Sequence, residues 1–280
     1  MSQAVARAAS FLFVPASRPE RFEKALESGA HCVILDLEDA VPPDQKAQAR
    51  EQLAQRLPGF TRAQLARTLV RINADGTSWH AEDLRMLARC VGQGLAGAMV
   101  PKAESASALR SVGMALGPDA KLVPLVESLA GLDEVDSLAG TPQVCRLAFG
   151  HLDFQLDLGM RCGPAETELT SVRFALVAAS RRAGLPSPID GVTVATGDAE
   201  RLQADTERAR GFGFGAKLCI HPAQVRAVNE AFSPSAADVE WARRVVEGAQ
   251  ARQGEAFSMD GKMVDLPVIR LAQQTLQRAG

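Results

Sequence analysis

Six short apolar runs, each stopping at a charged residue or a histidine, constrain this chain more than any other feature. In order they are ILDLED (34–39), LVRIN (69–73), AMVPK (98–102), PLVES (124–128), LAFGHLDF (147–154) and KLCIHP (217–222). A strand buried on both faces of a parallel sheet reads as a near-continuous apolar run, and the loops that follow such strands carry the chemistry. That arrangement would aim Asp36, Glu38, Arg71, Lys102, Glu127 and Asp153 into one mouth. A shared mouth of this kind is the plan of an enzyme.

The segments between these runs carry helical periodicity. FLFVPAS (11–17) reads as a first strand, followed by a helix with Phe22, Ala25 and Leu26 on one face. Pro42 and Pro43 precede a helix from about Asp44 with Ala49, Leu53 and Leu57 aligned. Prolines suit that place, because the first helical turn does not use their missing N–H groups. VCRLAFG (144–150), PIDGVTV (188–194) and GAKLCIHP (215–222) complete a set of eight strands, each followed by a helix. DFQLDLG (153–159) reads as a loop. Eight such units predict a closed (β/α)8 TIM barrel over residues 1–232. An open doubly wound sheet lacks its signature here, since no Gly-x-Gly-x-x-Gly turn follows the first strand.

Beyond residue 232 two more helical stripes appear, Ala242, Val245, Val246 and Ala249, then Val268, Leu271, Ala272 and Thr275. They exceed what a closed barrel needs, so residues 233–280 are expected to form a C-terminal helical extension. It would cover the barrel end or a neighbouring subunit.

Bulk properties remove several function classes. With 31 basic and 33 acidic residues the net charge is −2, so no polybasic face invites nucleic acid or an anionic membrane. No segment approaches the roughly 20 apolar residues of a membrane span, and a cytoplasmic location is expected. The five cysteines stand singly and odd in number, which argues against zinc and against a disulfide framework. No tyrosine is present to serve as a general acid. Serine hydrolysis has no support either, because no G-x-S-x-G elbow occurs.

Glu127 and Asp153 are the candidate metal ligands, since carboxylate oxygens at the ends of adjacent strands suit a hard cation such as Mg2+. Each could instead cap a helix or pair with Lys102. Arg71 ends an apolar strand, where a guanidinium needs an anionic partner. That partner is a substrate carboxylate, a developing oxyanion, or Asp36 and Glu38. Strand alternation sends Asp36 and Glu38 to one side, where they can orient Arg71, and Asp39 is expected to cap the turn. Lys102 can serve substrate or structure. Of the four histidines, only His151 sits in a strand-end segment beside a metal candidate; His31 and His80 read as surface residues, and His221 as a structural hydrogen-bonding group.

With these residues in hand, the chain resembles the CitE-like branch of the HpcH/HpaI aldolase and citrate lyase family. The resemblance runs from FVPASRPERFEKA to GKMVDLPVI, through VILDLEDAV, VRIN, MVPKAES, LVES, FGHLDF and CIHP in that order. It implies a (β/α)8 barrel that binds Mg2+ through Glu127 and Asp153 and acts on CoA thioesters. It further implies substrate binding by Arg71, a place near CoA for Arg18, and homotrimers or homohexamers in which Asp265 enters a neighbouring subunit's site. Two departures stand out. Leu152, preceded by His151, replaces the acidic residue that relatives often carry before the metal aspartate, and Ala40 replaces a glycine in D-x-E-D-G.

The resemblance implies reversible cleavage of a β-hydroxyacyl-CoA to acetyl-CoA and a 2-oxo acid. Arg71 would stabilise charge on the hydroxyl oxygen, and Asp265 would protonate the thioester enolate. Alternatives are a CoA thioesterase on the same scaffold and a non-catalytic or carrier-dependent subunit. A class II aldolase is disfavoured, because Ala40-Val41 stands where that branch usually carries a histidine.

Overall fold

The computed structural model describes residues 4–253 and 255–279. The chain divides into two compact units, Met1–Asn229 and Glu230–Gly280.

In the first unit eight parallel strands close into a barrel in sequence order: β1 (Ser10–Pro15), β2 (Cys32–Asp36), β3 (Thr68–Arg71), β4 (Gly97–Val100), β5 (Lys121–Val126), β6 (Ala148–Phe149), β7 (Ile189–Asp190) and β8 (Ala216–Cys219). β8 closes on β1 through Ser10↔Lys217. Each strand contributes to one buried interior cluster, from Phe11, Ile34, Leu69 and Met99 round to Val123, Ala148, Ile189 and Ala216. The mouth's chemistry follows from register. Asp36 on β2 pairs with Arg71 on β3, so the two side chains leave the barrel at one height. Val126 pairs with Phe149, which sets Glu127 beside Gly150.

Most connections follow the sequence periodicity, as in the helix Lys46–Arg56, where Ala49 and Leu53 are buried. The segment read as a loop after β6 is instead a helix, His151–Asp157, so Asp153 stands on a first helical turn. Gly150 is its N-cap, and the strand expected over 144–150 is confined to Ala148–Phe149. The lower part of the barrel holds Arg146, fully buried and with no carboxylate partner among the described residues. Its guanidinium donates to the carbonyls of Ser187, Val5 and Ala8, and burial draws its pKa down to about 10. Among the described residues no helix is long and apolar enough to cross a membrane, and all five cysteines are free.

The second unit pairs the helix Ala236–Ala251 with the helix Leu266–Ala279 around Ala242, Val245, Ala249, Ile269 and Ala272. Leu271, expected on the buried stripe, is 56% exposed, and Ile269 takes its place. Ser235 and Asp238 form a capping box at the first helix. Between the helices lies a hairpin, β9 (Phe257–Met259) and β10 (Lys262–Val264), absent from the sequence reading. Its signal was Asp260-Gly261: both residues have positive φ, as a two-residue hairpin turn requires.

Candidate active site

The barrel mouth holds a cavity of about 350 Å³. Asp36, Asp39, Arg71, Glu127, His151 and Asp153 line it together with an apolar wall that includes Phe13, Phe149, Val192 and Ile220.

Arg71 is fully engaged. Its Nε and Nη2 each donate to Asp36 at 2.7 Å, and Nη1 lies 2.9 Å from Glu38 and 3.4 Å from Asp39. Its guanidinium stacks 4.9 Å from the Phe13 ring. Burial opposes its charge, but Asp36, Glu38 and Asp39 together outweigh that and hold the arginine protonated well above its ordinary range. Asp36 also accepts the backbone N–H groups of Glu38 and Ala40, so Asp36 rather than Asp39 caps the turn. Burial, with help from Asp39 and Asp36, lifts Glu38 to about 7 despite Arg71.

Glu127 is only half satisfied. One oxygen accepts the Lys102 N–H at 2.8 Å, while the buried Oε2 has no hydrogen-bond partner. Burial, then the neighbouring Glu38, push its carboxyl up to about 8, with Asp153 adding to the rise. Asp153, half-buried, is also raised by burial and by Asp39. Two carboxylates facing one cavity, one with an orphaned oxygen, fit a hard divalent cation that keeps several water or substrate ligands. Among the described residues no group of three or more His, Cys, Asp or Glu forms a closed cage.

The other sequence candidates lie as follows. Lys102 sits at φ 45° with its Nζ 3.9 Å from Glu38 and its side chain 55% exposed. Arg18 is exposed and paired with Glu20. Asp265, in the second unit, is half-buried and accepts the Val268 N–H at the start of the last helix. His151 lines the cavity, and burial lowers its imidazole pKa. His221 holds the Ala223 N–H, a structural hydrogen bond.

Two supporting features escaped sequence reasoning. Buried Lys46 donates at 2.9 Å to both Leu37 O and Glu38 O, and lies 5.1 Å from the Trp79 ring centroid. It braces from behind the turn that presents Asp36 and Glu38. Its signal was position, since Lys46 precedes Ala49 and Leu53 on the buried helical stripe. Behind His151, Glu166 takes Arg173, Arg208 and Arg201 from a left-handed φ of 47°. Arg173 also reaches Asp190 and lies over Phe149, stiffening the cavity wall. These partners are far apart in sequence, and no local pattern marks them.

Residues 9–222 match the family described as HpcH/HpaI aldolase/citrate lyase. A citrate lyase subunit beta-like protein of Mycobacterium tuberculosis is 37% identical, over 96% of this chain and 95% of its own. A (3S)-malyl-CoA thioesterase of Cereibacter sphaeroides is 34% identical over 96% and 94%. An L-malyl-CoA/beta-methylmalyl-CoA lyase of the same species is 32% identical over 96% and 93%. Among solved structures, CitE of Mycobacterium tuberculosis in complex with magnesium, acetoacetate and coenzyme A superposes with a TM-score of 0.82 at 35% identity, covering 98% of both chains.

Proposed function

The chain belongs to the HpcH/HpaI aldolase/citrate lyase family, and from that premise we propose that it is a Mg2+-dependent CoA-ester lyase. It reversibly cleaves a β-hydroxyacyl-CoA of the malyl-, citramalyl- or citryl-CoA type to acetyl-CoA and a 2-oxo acid. The observation that carries this reading is the unpartnered, buried Glu127 Oε2 in a cavity shared with Asp153 and Arg71.

Glu127 and Asp153 hold the cation, which when bound supplies Lewis-acid chelation of the acid's adjacent oxygens. Arg71 is kept rigid by Asp36 and Glu38, and so presents fixed positive charge to the oxygen that changes from hydroxyl to ketone. The Lys102 N–H fixes the rotamer of Glu127, and its Nζ stands ready for the substrate at the rim. The substrate hydroxyl releases its proton to solvent as its oxygen becomes the ketone, and the electron pair of the breaking carbon–carbon bond passes to the thioester enolate, which Asp265 of a second copy protonates; in condensation Asp265 removes that proton and the new alkoxide takes one from solvent. Arg18 binds CoA phosphate. The assembly is a homotrimer or homohexamer, working in the cytoplasm.

The test is condensation of acetyl-CoA with glyoxylate, pyruvate and oxaloacetate, with Mg2+ or EDTA, read by mass spectrometry. A hydroxyacyl-CoA formed only with Mg2+ is the expected result. The second reading, a CoA thioesterase, is favoured by the 34% identical (3S)-malyl-CoA thioesterase. It predicts free CoA and the intact hydroxy acid from a hydroxyacyl-CoA, with no 2-oxo acid.

A further inference from the structure

Glu127 and Asp153 are aimed in different ways. Glu127 is set by the Lys102 N–H, whereas the Asp153 carboxylate takes no side-chain hydrogen bond or ion pair among the described residues. Its direction is therefore set by the first turn of the helix His151–Asp157. Two residues of this helix are buried, His151 and Phe154, and His151 is the one that opens the first turn. Its imidazole is gripped from two sides. Nε2 stands 3.6 Å from Glu166 Oε1, too long for a hydrogen bond but close enough for the carboxylate to favour a proton on Nε2. On the other side, Nδ1 lies so near Gly191 that a Cβ on that residue would overlap the ring. Neither side yields easily. Glu166 is 7% exposed and held by Arg173 and Arg208 in a left-handed conformation uncommon for an L residue. Gly191 follows Asp190, which pairs with Arg173, and its own carbonyl accepts the Lys217 Nζ at 2.7 Å.

Resting on the reading of Glu127 and Asp153 as the Mg2+ ligands, we infer that His151 is a positioning residue: Glu166 and Gly191 clamp its imidazole, and the clamped ring aims Asp153 at the cation. The argument is one of leverage. His151 and Asp153 share a single helical turn, so a ring that shifts tilts the backbone that carries the carboxylate. Mg2+ demands near-ideal octahedral geometry, and a carboxylate aimed slightly wrong loses affinity for it. Groups that orient a metal ligand from behind typically change affinity by about 10–100-fold. The backbone at Glu166 fits this role, because a left-handed residue other than glycine persists only where its surroundings over-determine it. The ion cluster behind the ring thus serves the cation site without touching it.

Titration calorimetry of the full chain with Mg2+, which needs no turnover, tests this alongside thermal melting. Glu166→Asp keeps the charge for the arginines and tolerates the left-handed backbone, but withdraws the carboxylate from the ring. Gly191→Ala, at a backbone outside the left-handed region, presses on the ring from the other side. Each should weaken Mg2+ binding by about tenfold, and His151→Ala by about 10–100-fold. Added to His151→Ala, neither should cause further loss, because the path they share is gone. Unchanged Mg2+ affinity in His151→Ala, whatever its melting temperature, overturns the inference and leaves the Mg2+ reading standing. Losses that add in the double variants overturn it in the same way. Failure of the unmodified protein to bind Mg2+ overturns both. The two levers act on the ring from opposite sides and only one of them alters the ion cluster, so the cycle with the stable variant decides the matter if the other fails to fold.

Discussion

The backbone N–H of Lys102 donates to Glu127 Oε1 at 2.8 Å, and Lys102 adopts a left-handed φ of 45°. An L side chain there costs about 1–2 kcal/mol. The bend turns the chain after β4 so that its amide meets the carboxylate at the end of β5, leaving Oε2 for another partner. A strained backbone and an orphaned acceptor occur together where the family's chemistry is expected.

That relationship makes metal affinity depend on pH. Glu127 lies at about 8 in the protein, against an ordinary 4.5, and a cation needs its ionised form, so binding expels a proton. Calorimetry should show Mg2+ affinity tightening by about tenfold per pH unit up to about 8 and then levelling. Glu127→Gln should lose both the affinity and the slope. For folding without metal the sign is opposite. The raised carboxyl contributes stability that is fully present below 4.5 and is lost as pH rises through about 8. A flat Mg2+ profile from pH 6 to 8 would falsify the assignment of Glu127.

Gly150 is needed for close approach. Its φ of −93° suits any residue, yet a Cβ there would fall 2.5 Å from Glu127 Oε2 and 2.6 Å from Glu127 Cβ. Gly150→Ala should therefore displace the carboxylate and weaken Mg2+ binding by about 10–100-fold, with the circular dichroism spectrum unchanged. Unaltered affinity would mean that Oε2 holds no cation.

Lys46 tests positioning at a distance. Lys46→Met keeps the stem and leaves the carbonyls of Leu37 and Glu38 without their ammonium donor, at a cost of about 1–3 kcal/mol. The released turn should lower kcat by about 10–100-fold, with little change in Mg2+ affinity. A purely structural lysine would lower the melting temperature and leave the kcat of the folded fraction intact.

Asp265 is examined by complementation. Asp265→Asn should abolish turnover while leaving Mg2+-dependent 2-oxo acid binding almost unchanged. Coexpressed with Glu127→Gln, also inactive alone, it should recover about a quarter of wild-type activity if each site draws on two copies in a cyclic assembly. No recovery in isolated mixed oligomers would show that Asp265 does not act across subunits.

The barrel was legible because burial on both faces leaves a one-dimensional trace: apolar runs such as ILDLED and LVRIN, helical stripes such as Ala49 and Leu53, and charges at the run ends. The charged residues of the mouth, Asp36, Arg71, Glu127 and Asp153, were legible for the same reason, since a polar residue ending a buried run must face something polar. The sequence by itself therefore determined the closed barrel and the acidic mouth. Only the tertiary structure decided which partners those residues take. Parallel register aligned Asp36 with Arg71, the left-handed turn at Lys102 aimed an amide at Glu127, and Lys46 reached back under Glu38. It also showed Asp153 on a helix rather than a loop and closed the second unit with the Asp260-Gly261 turn. The physical reason is range. Hydrophobic burial is read residue by residue along the chain, whereas a hydrogen bond or ion pair needs two groups within a few ångströms, and only the folded backbone brings strangers in sequence that close.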